Sequence, residues 1–525
     1  MTRKTFLALL PLSLLLGETA LSPPGNLHIQ DVPPIPSVLM DELSHYNDIR
    51  AASLLDWHPA KREMLIATRF GDVPQIHLVA RPGGARTQLT FFADRTGAAL
   101  YRPGAGDSFV FSKDTGGGEF YQLYRFDAPS SAITLLTDGH SRNTAALWSR
   151  DGRLLAYSST FRNGRDTDIW MMDPDEPKSA RRILDVEGGG WFAGAWSPEG
   201  KQLVVEDRRS VHDSSLYLVD VATGAKQLLT AAEGSYSNVQ FAKNGRGLYL
   251  TTDRGSEFER VAYLDLATRE LSFLRPAQKW DAGELELSDD GRRLAWVLNE
   301  DGFSRLTVMD TDTHKDLALP AVPRGVISGL KWHRNGRDLG FSLSSARNPS
   351  DVYSIDVEKV ALERWTASET GGLKAESFSQ PELIHWKSFD GRNISGFLYL
   401  PPKRFAGPRP VIVNIHGGPE GQSLPGFIGR NNYYMTELGV AMIFPNVRGS
   451  SGYGKTFLAL DNGLKREDSV KDIGALLDWI SGDARLDSGR VLITGASYGG
   501  YMTLASAFHI AAVARAGDQD APGIE

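Results

Sequence analysis

Between residues 50 and 360, short aromatic or apolar runs end in polar turns, most of them closing on glycine, and a further strand follows each turn, as at Leu154 to Tyr157. The runs repeat. Trp148-Ser149-Arg150-Asp151-Gly152-Arg153-Leu154-Leu155-Ala156 and Trp196-Ser197-Pro198-Glu199-Gly200-Lys201-Gln202-Leu203-Val204 are two copies of one unit. Weaker copies start at Trp57, Tyr101, Phe241, Leu287 and Trp332, giving seven anchors spaced 44, 47, 48, 45, 46 and 45 residues apart. The turn closes on glycine in every copy but the one at Trp57, as at Gly152 and Gly200, because its last position takes a positive φ. Further strands follow within each unit, as at residues 216–220 and 351–356. Four short strands in every period of about 45 residues is the pattern of a propeller blade, and the expectation is a seven-bladed β-propeller over residues 46–365. An array of sandwiches would not keep so constant a spacing. The tryptophans recur at one structural position, so they are expected in the blade cores.

From Pro381 the pattern changes. Strands are predicted at 384–388 and 394–400, then an unbroken apolar strand at 411–415 that runs into His416-Gly417-Gly418-Pro419. A second buried strand at 440–445 leads to Arg448-Gly449-Ser450-Ser451-Gly452-Tyr453-Gly454. A helix is predicted over 468–480, with Val470, Ile473, Leu476, Leu477 and Ile480 on one face. A strand at 491–494 then meets Gly495-Ala496-Ser497-Tyr498-Gly499-Gly500 and a helix-compatible run. Buried strands alternating with helices predict an α/β unit over residues 376–525.

Composition narrows the classes. A chain of 525 residues, 41% of them hydrophobic, is long and apolar enough for two cores. The net charge of -7 comes without any basic block, which argues against nucleic acid as a partner. The absence of cysteine excludes a thiol nucleophile, a disulfide framework and thiolate metal sites. Residues 1–22 read as a signal peptide: Arg3 and Lys4, an apolar run from Phe6 to Leu16, and a small-residue site at Ala20-Leu21-Ser22. The apolar run is too short for a permanent anchor, so no membrane association is expected after cleavage. Residues 23–45 form an N-terminal segment. Export without disulfides points to a bacterial periplasm.

The chemistry sits in the last third. Gly495-x-Ser497-x-Gly499 lies between an apolar strand and a helix, where a nucleophile elbow must be. The flanking glycines keep side chains out of a turn too tight to hold them, and the turn exposes Ser497 Oγ and aims a helix N-terminus at a developing oxyanion. In that arrangement the backbone N–H of Tyr498 supplies one oxyanion donor and the Gly417-Gly418 turn the other, while His416 orders its loop. Gly449-Ser450-Ser451-Gly452-Tyr453-Gly454-Lys455-Thr456 also fits the phosphate-binding pattern G-x-x-x-x-G-K-[ST]. That pattern wants its glycines directly after a strand, and Pro445 to Arg448 intervene. Nothing in the pattern asks for a cofactor or a metal.

Asp390-Gly391 with Gly396-Phe397-Leu398-Tyr399-Leu400-Pro401, the His416 and Arg448 motifs and Gly495-Ala496-Ser497-Tyr498-Gly499-Gly500-Tyr501 together resemble the prolyl oligopeptidase family. The resemblance is closest to its acylaminoacyl peptidase and bacterial dipeptidyl or oligopeptidase branches. It implies an α/β-hydrolase domain capped by a propeller that excludes folded proteins, with Ser497 acylated by a short peptide and Gly418 and Tyr498 forming the oxyanion hole. In this family the acid and base lie far downstream of the serine. Here 28 residues follow Ser497, and His509, the sole histidine among them, would lie roughly 15 Å or more along a helix rising about 1.5 Å per residue. Asp518 and Asp520 sit in a tail without strand pattern. The expectation is an incomplete hydrolase domain, inactive as written; the alternative is a non-catalytic propeller that binds peptides or a partner.

Overall fold

The computed structural model describes residues 25–230 and 233–517, with side chains to Phe508. The expected signal peptide, Asp518 and Asp520 lie outside the described residues, as does the side chain of His509. Seven consecutive antiparallel sheets, at residues 53–88, 96–135, 143–184, 191–228, 236–273, 282–310 and 326–364, form a seven-bladed β-propeller. The first strands of successive blades adjoin one another and are therefore innermost. Each carries a bulge, between Leu54 and Asp56 in the first blade and between Ser328 and Lys331 in the last, which adds local twist where the strands crowd the axis.

Six blades have four strands and the sixth has three. Between Asp310 and Val326 the chain makes a single bridge, Met309 to Asp316, and no fourth strand. Pro320 and Pro323 follow there, and proline lacks the N–H that an outer strand would donate.

The anchor tryptophans do more than fill the blades. Trp148 Nε1 donates to Leu100 O (3.2 Å), Trp196 to Leu147 O (3.1 Å), Trp332 to Glu286 O (3.1 Å) and Trp57 to Lys331 O (3.0 Å). Each indole thus bonds to the inner strand of the preceding blade, and the last of these bonds closes the ring from blade one to blade seven. Among the described residues no strand is shared across that closure. Trp57 packs edge-on against His333 and Trp365, Leu54 N donates to Ser342 Oγ at 2.8 Å, and Arg62 pairs with Asp338 and Glu363.

The hydrolase unit is built on a five-stranded sheet with the spatial order Glu382–Lys387, Asn393–Tyr399, Ala441–Asn446, Arg409–Ile415, Leu486–Gly495. The first two strands are an antiparallel hairpin; Arg409–Ile415 runs parallel to both of its neighbours. Helices Arg466–Gly482 and Tyr498–Gly517 cover one face, burying Val470, Ile473, Leu476 and Ile480 against Val411, Val413 and Ile443. The other face packs Phe397, Tyr399 and Met442 against Met435 and against Phe303 and Ala346 of the propeller. The N-terminal helix Ser37–Asn47 runs through residue 46 and joins the hydrolase unit, where Tyr46 meets Tyr433 edge-on and donates to Glu437. Ile49–Arg50 pairs with Glu369–Thr370, so the chain enters and leaves the propeller side by side.

Candidate active site

Ser497 sits between the strand Leu486–Gly495 and the helix Tyr498–Gly517, with φ 55°. Left-handed backbone at a non-glycine residue is costly, and here it sets the turn that lifts the side chain off the sheet. A Cβ on Gly495 would lie 2.6 Å from Ile415 O, and one on Gly499 would strike the same carbonyl. The two glycines are required by backbone packing against the neighbouring strand.

Ile415 leads directly into the glycine loop. A Cβ at Gly417 would lie 3.4 Å from Ser497 Cβ and 3.9 Å from its Oγ, so the loop lies against the serine. Gly418 has φ 135°, and a side chain there would press on Glu420 N at 2.5 Å. His416 is turned away from the serine: Nδ1 bonds Gly417 O and Nε2 bonds Ser450 Oγ, both at 2.8 Å. Burial lowers the His416 pKa and favours the neutral ring. Its place is in ordering the loop.

Tyr498 turns its phenol inward. Its hydroxyl meets Ser469 Oγ at 2.7 Å and Asp461 Oδ2 at 3.3 Å, while Arg466 lies over the ring, 5.1 Å from its centre. Burial raises the Asp461 pKa, partly offset by Arg466. The side chain is thus an anchor at the start of the helix. Below it, Arg448 is held by Asp472 at 2.7 Å, with 3% and 0% of their side chains exposed, and Asp472 also accepts from Ser388 Oγ and Arg448 N. Sequence reasoning missed Asp461, Ser469 and Asp472. A buried Arg448 demanded a counter-ion, and Asp472, a carboxylate among the apolar positions of a helix, was the available signal; nothing local marked Asp461 or Ser469.

The loop that imitates a phosphate-binding motif is docked on the propeller. Thr456 N and Oγ1 bond Glu257, Lys455 Nζ bonds Asp253 O, and Gly454 N reaches Asp281 Oδ2. Carboxylates stand where phosphate oxygens would have to be, and the helix that follows, Lys455–Leu458, is a single turn. Beside this contact lies a cavity of about 330 Å³ between the two units, lined by His212, Asp253, Glu259 and Asp281 from the propeller and by Glu420 and Ser451 from the hydrolase unit. Burial pushes Glu259 up to about 7 and raises Asp281. Ser497 is not part of its lining. Among the described residues, no three His, Asp or Glu side chains converge to hold a metal.

Residues 100–368, half of the chain, match the N-terminal β-propeller domain of the prolyl oligopeptidase family, and residues 425–517 match that family's peptidase domain. The chain belongs to the prolyl oligopeptidase family. It is 26% identical to the uncharacterized peptidase YuxL of Bacillus subtilis, over 73% of this chain and 73% of that one. It is 24% identical to dipeptidyl aminopeptidase BIII of Pseudoxanthomonas mexicana, over 81% of this chain but 63% of that one. A solved prolyl endopeptidase superposes with a TM-score of 0.77 at 18% identity, covering 90% of this chain and 72% of its own. A puromycin-hydrolysing peptidase of Mycobacterium tuberculosis superposes at 0.71, with 20% identity, 88% of this chain and 76% of that one. The fold of a prolyl oligopeptidase is therefore present in both units.

Proposed function

We propose that this chain carries the propeller and the nucleophile half of a serine peptidase acting on short peptides, with Ser497 as the nucleophile. The observation that carries the reading is the left-handed Ser497 at a strand-to-helix turn with the Gly417 loop lying against it. In this reading Ser497 Oγ adds to the scissile carbonyl carbon, and the resulting oxyanion takes hydrogen bonds from the backbone N–H groups of Tyr498 and Gly418. Once a base has taken the Ser497 proton and given it to the leaving nitrogen, the C–N bond breaks, the amine departs and an acyl group stays on Ser497. The propeller, packed over the hydrolase sheet, restricts the substrate to short peptides.

The proton of Ser497 needs an acceptor, and among the described residues no histidine is hydrogen-bonded to Oγ. Without a base a serine hydroxyl is a poor nucleophile. The outer edge of strand Leu486–Gly495 has no neighbouring strand among the described residues, and Leu492 of that strand and Leu504 and Phe508 of the helix that follows are exposed. We infer that this open apolar edge takes a further segment bearing the acid and the base, and that the 525 residues alone do not turn over. The test compares the chain with Ser497→Ala, using peptide substrates and a serine-directed phosphonate, before and after a family-type C-terminal half is joined on. Neither protein should react before joining; only the serine form should react after it. Turnover by the unextended chain that Ser497→Ala abolishes would overturn the inactivity, and failure of the joined protein would favour the non-catalytic binding protein.

We propose also that the protein is exported to a periplasm, on the strength of the N-terminal pattern. Intact mass after expression in a Gram-negative host should show the loss of about two dozen residues. A soluble product that retains Met1 would reject this.

A further inference from the structure

The hydrolase unit contacts the propeller at its second-to-third-strand hairpins, through Glu257, Asp301 and Ser344. The turns between first and second strands therefore lie on the opposite, distal face, around the far mouth of the channel. These turns pack as a collar. A Cβ on Gly106 would strike His58 of the preceding blade, one on Gly152 would strike Pro103, and one on Gly291 would strike Lys243. Two residues past the end of each first strand, the equivalent position holds proline in three blades, Asp289 in one, and a cation in the other three: Arg150, Lys243 and Arg334.

Arg334 Nη2 donates to the backbone carbonyl of Arg150 at 3.4 Å. The two belong to blades seven and three, which stand as far apart as two blades in a ring of seven can. The Arg334 side chain therefore reaches across the mouth. Rim arginines nearby are paired with carboxylates, Arg102 and Arg125 with Asp175 and Arg293 with Glu358. Arg150 and Arg334 make no ion pair among the described residues, although both are half-buried. Lys243 adds a third positive charge, its Nζ bonded to Asp289 O at 2.8 Å. A neutral carbonyl at 3.4 Å is a weak partner for a guanidinium, whose planar fork matches a carboxylate or phosphate and bonds it about twice as strongly.

We propose that the distal mouth of the propeller channel is an oxyanion site in which Arg150 and Arg334 hold a carboxylate or phosphate group across the opening. The site is independent of Ser497. Two sources present that chemistry, the C-terminal carboxylate of a short peptide and free phosphate. Calorimetric titration of the full chain with inorganic phosphate, with triglycine and with triglycine amide separates them. Binding of triglycine but not its amide identifies a peptide terminus, and binding of phosphate identifies the free ion. In either case Arg334→Gln and Arg150→Gln should each weaken binding at least about tenfold, as the loss of a charge-assisted bond does. Arg334→Lys, which keeps the charge, should lose less. Circular dichroism melting of each variant checks that the collar still folds. The proposal fails if neither phosphate nor triglycine binds in the millimolar range, or if binding persists unchanged in folded Arg150→Gln/Arg334→Gln.

Discussion

Thr456 gives both its backbone N–H and its hydroxyl to the carboxylate of Glu257, at 2.9 and 2.7 Å, and so ties the loop after Arg448 to the fifth propeller blade. The same pair turns a sequence that imitates a nucleotide motif into an interdomain contact. Asn299 with Gln422, and Asp301 with His385 and Ser395, add polar contacts from the sixth blade.

If the Thr456 and Glu257 pair couples the units, Glu257→Ala and Thr456→Val should each destabilise the hydrolase unit, and the double variant should cost less than their sum. A coupling of ~0.5–1 kcal/mol is expected, because the pair is exposed to solvent. Urea unfolding of the four proteins, followed at the hydrolase transition, gives the number. Strict additivity would show that the contact is incidental.

Among the described residues Asp472 is the one fully buried carboxylate partner of Arg448, and removing it leaves a guanidinium that is 3% exposed with the partly exposed Asp390 and Ser388 Oγ. Asp472→Ala should cost the hydrolase unit about 3–5 kcal/mol. The propeller transition should not move, because none of the bonds of Asp472 reaches it. A drop below ~1 kcal/mol in thermal or urea unfolding would mean that Asp390 and water suffice.

Glu259 titrates near 7 in the folded chain because burial disfavours its charge, against an ordinary value of 4.5. Below the unfolded value both states are protonated and no penalty exists. Between 4.5 and about 7 the unfolded chain ionises first, so stability falls as pH rises; above that range the penalty is constant. Glu259→Gln keeps an acceptor for Ser235 Oγ and removes the charge. Since Glu259 faces the interdomain cavity, the variant should gain on the order of 1 kcal/mol at pH 8 and nothing at pH 4. Equal stability curves for the two proteins across that range would contradict the assignment.

The repeat and the elbow were legible in the sequence for a shared reason: both are local. A turn that needs positive φ demands glycine at its own position, and an apolar strand followed by Gly-x-Ser-x-Gly states its geometry within ten residues. The helix predicted over 468–480 is observed as Arg466–Gly482, and the strand at 411–415 as Arg409–Ile415, because a buried face imposes its period on the residues that form it. The expectation of four strands in every blade failed in the sixth, where prolines compete with the repeat.

What only the tertiary structure decided depends on residues far apart in the chain. The sequence placed the tryptophans in the blades but could not show that Trp57 Nε1 reaches Lys331 O, 274 residues away, to close the ring. It offered the Lys455-Thr456 loop to a nucleotide, and the propeller's Glu257 took it instead. It marked Ser497 and Tyr498, while Asp461, Ser469 and Asp472, which hold the surrounding framework, came into view only when the helices packed on the sheet. Local backbone demands are written in adjacent residues; partners for buried charges and hydroxyls are fixed by whichever segment the fold brings within about 3 Å, and a linear pattern carries no record of that.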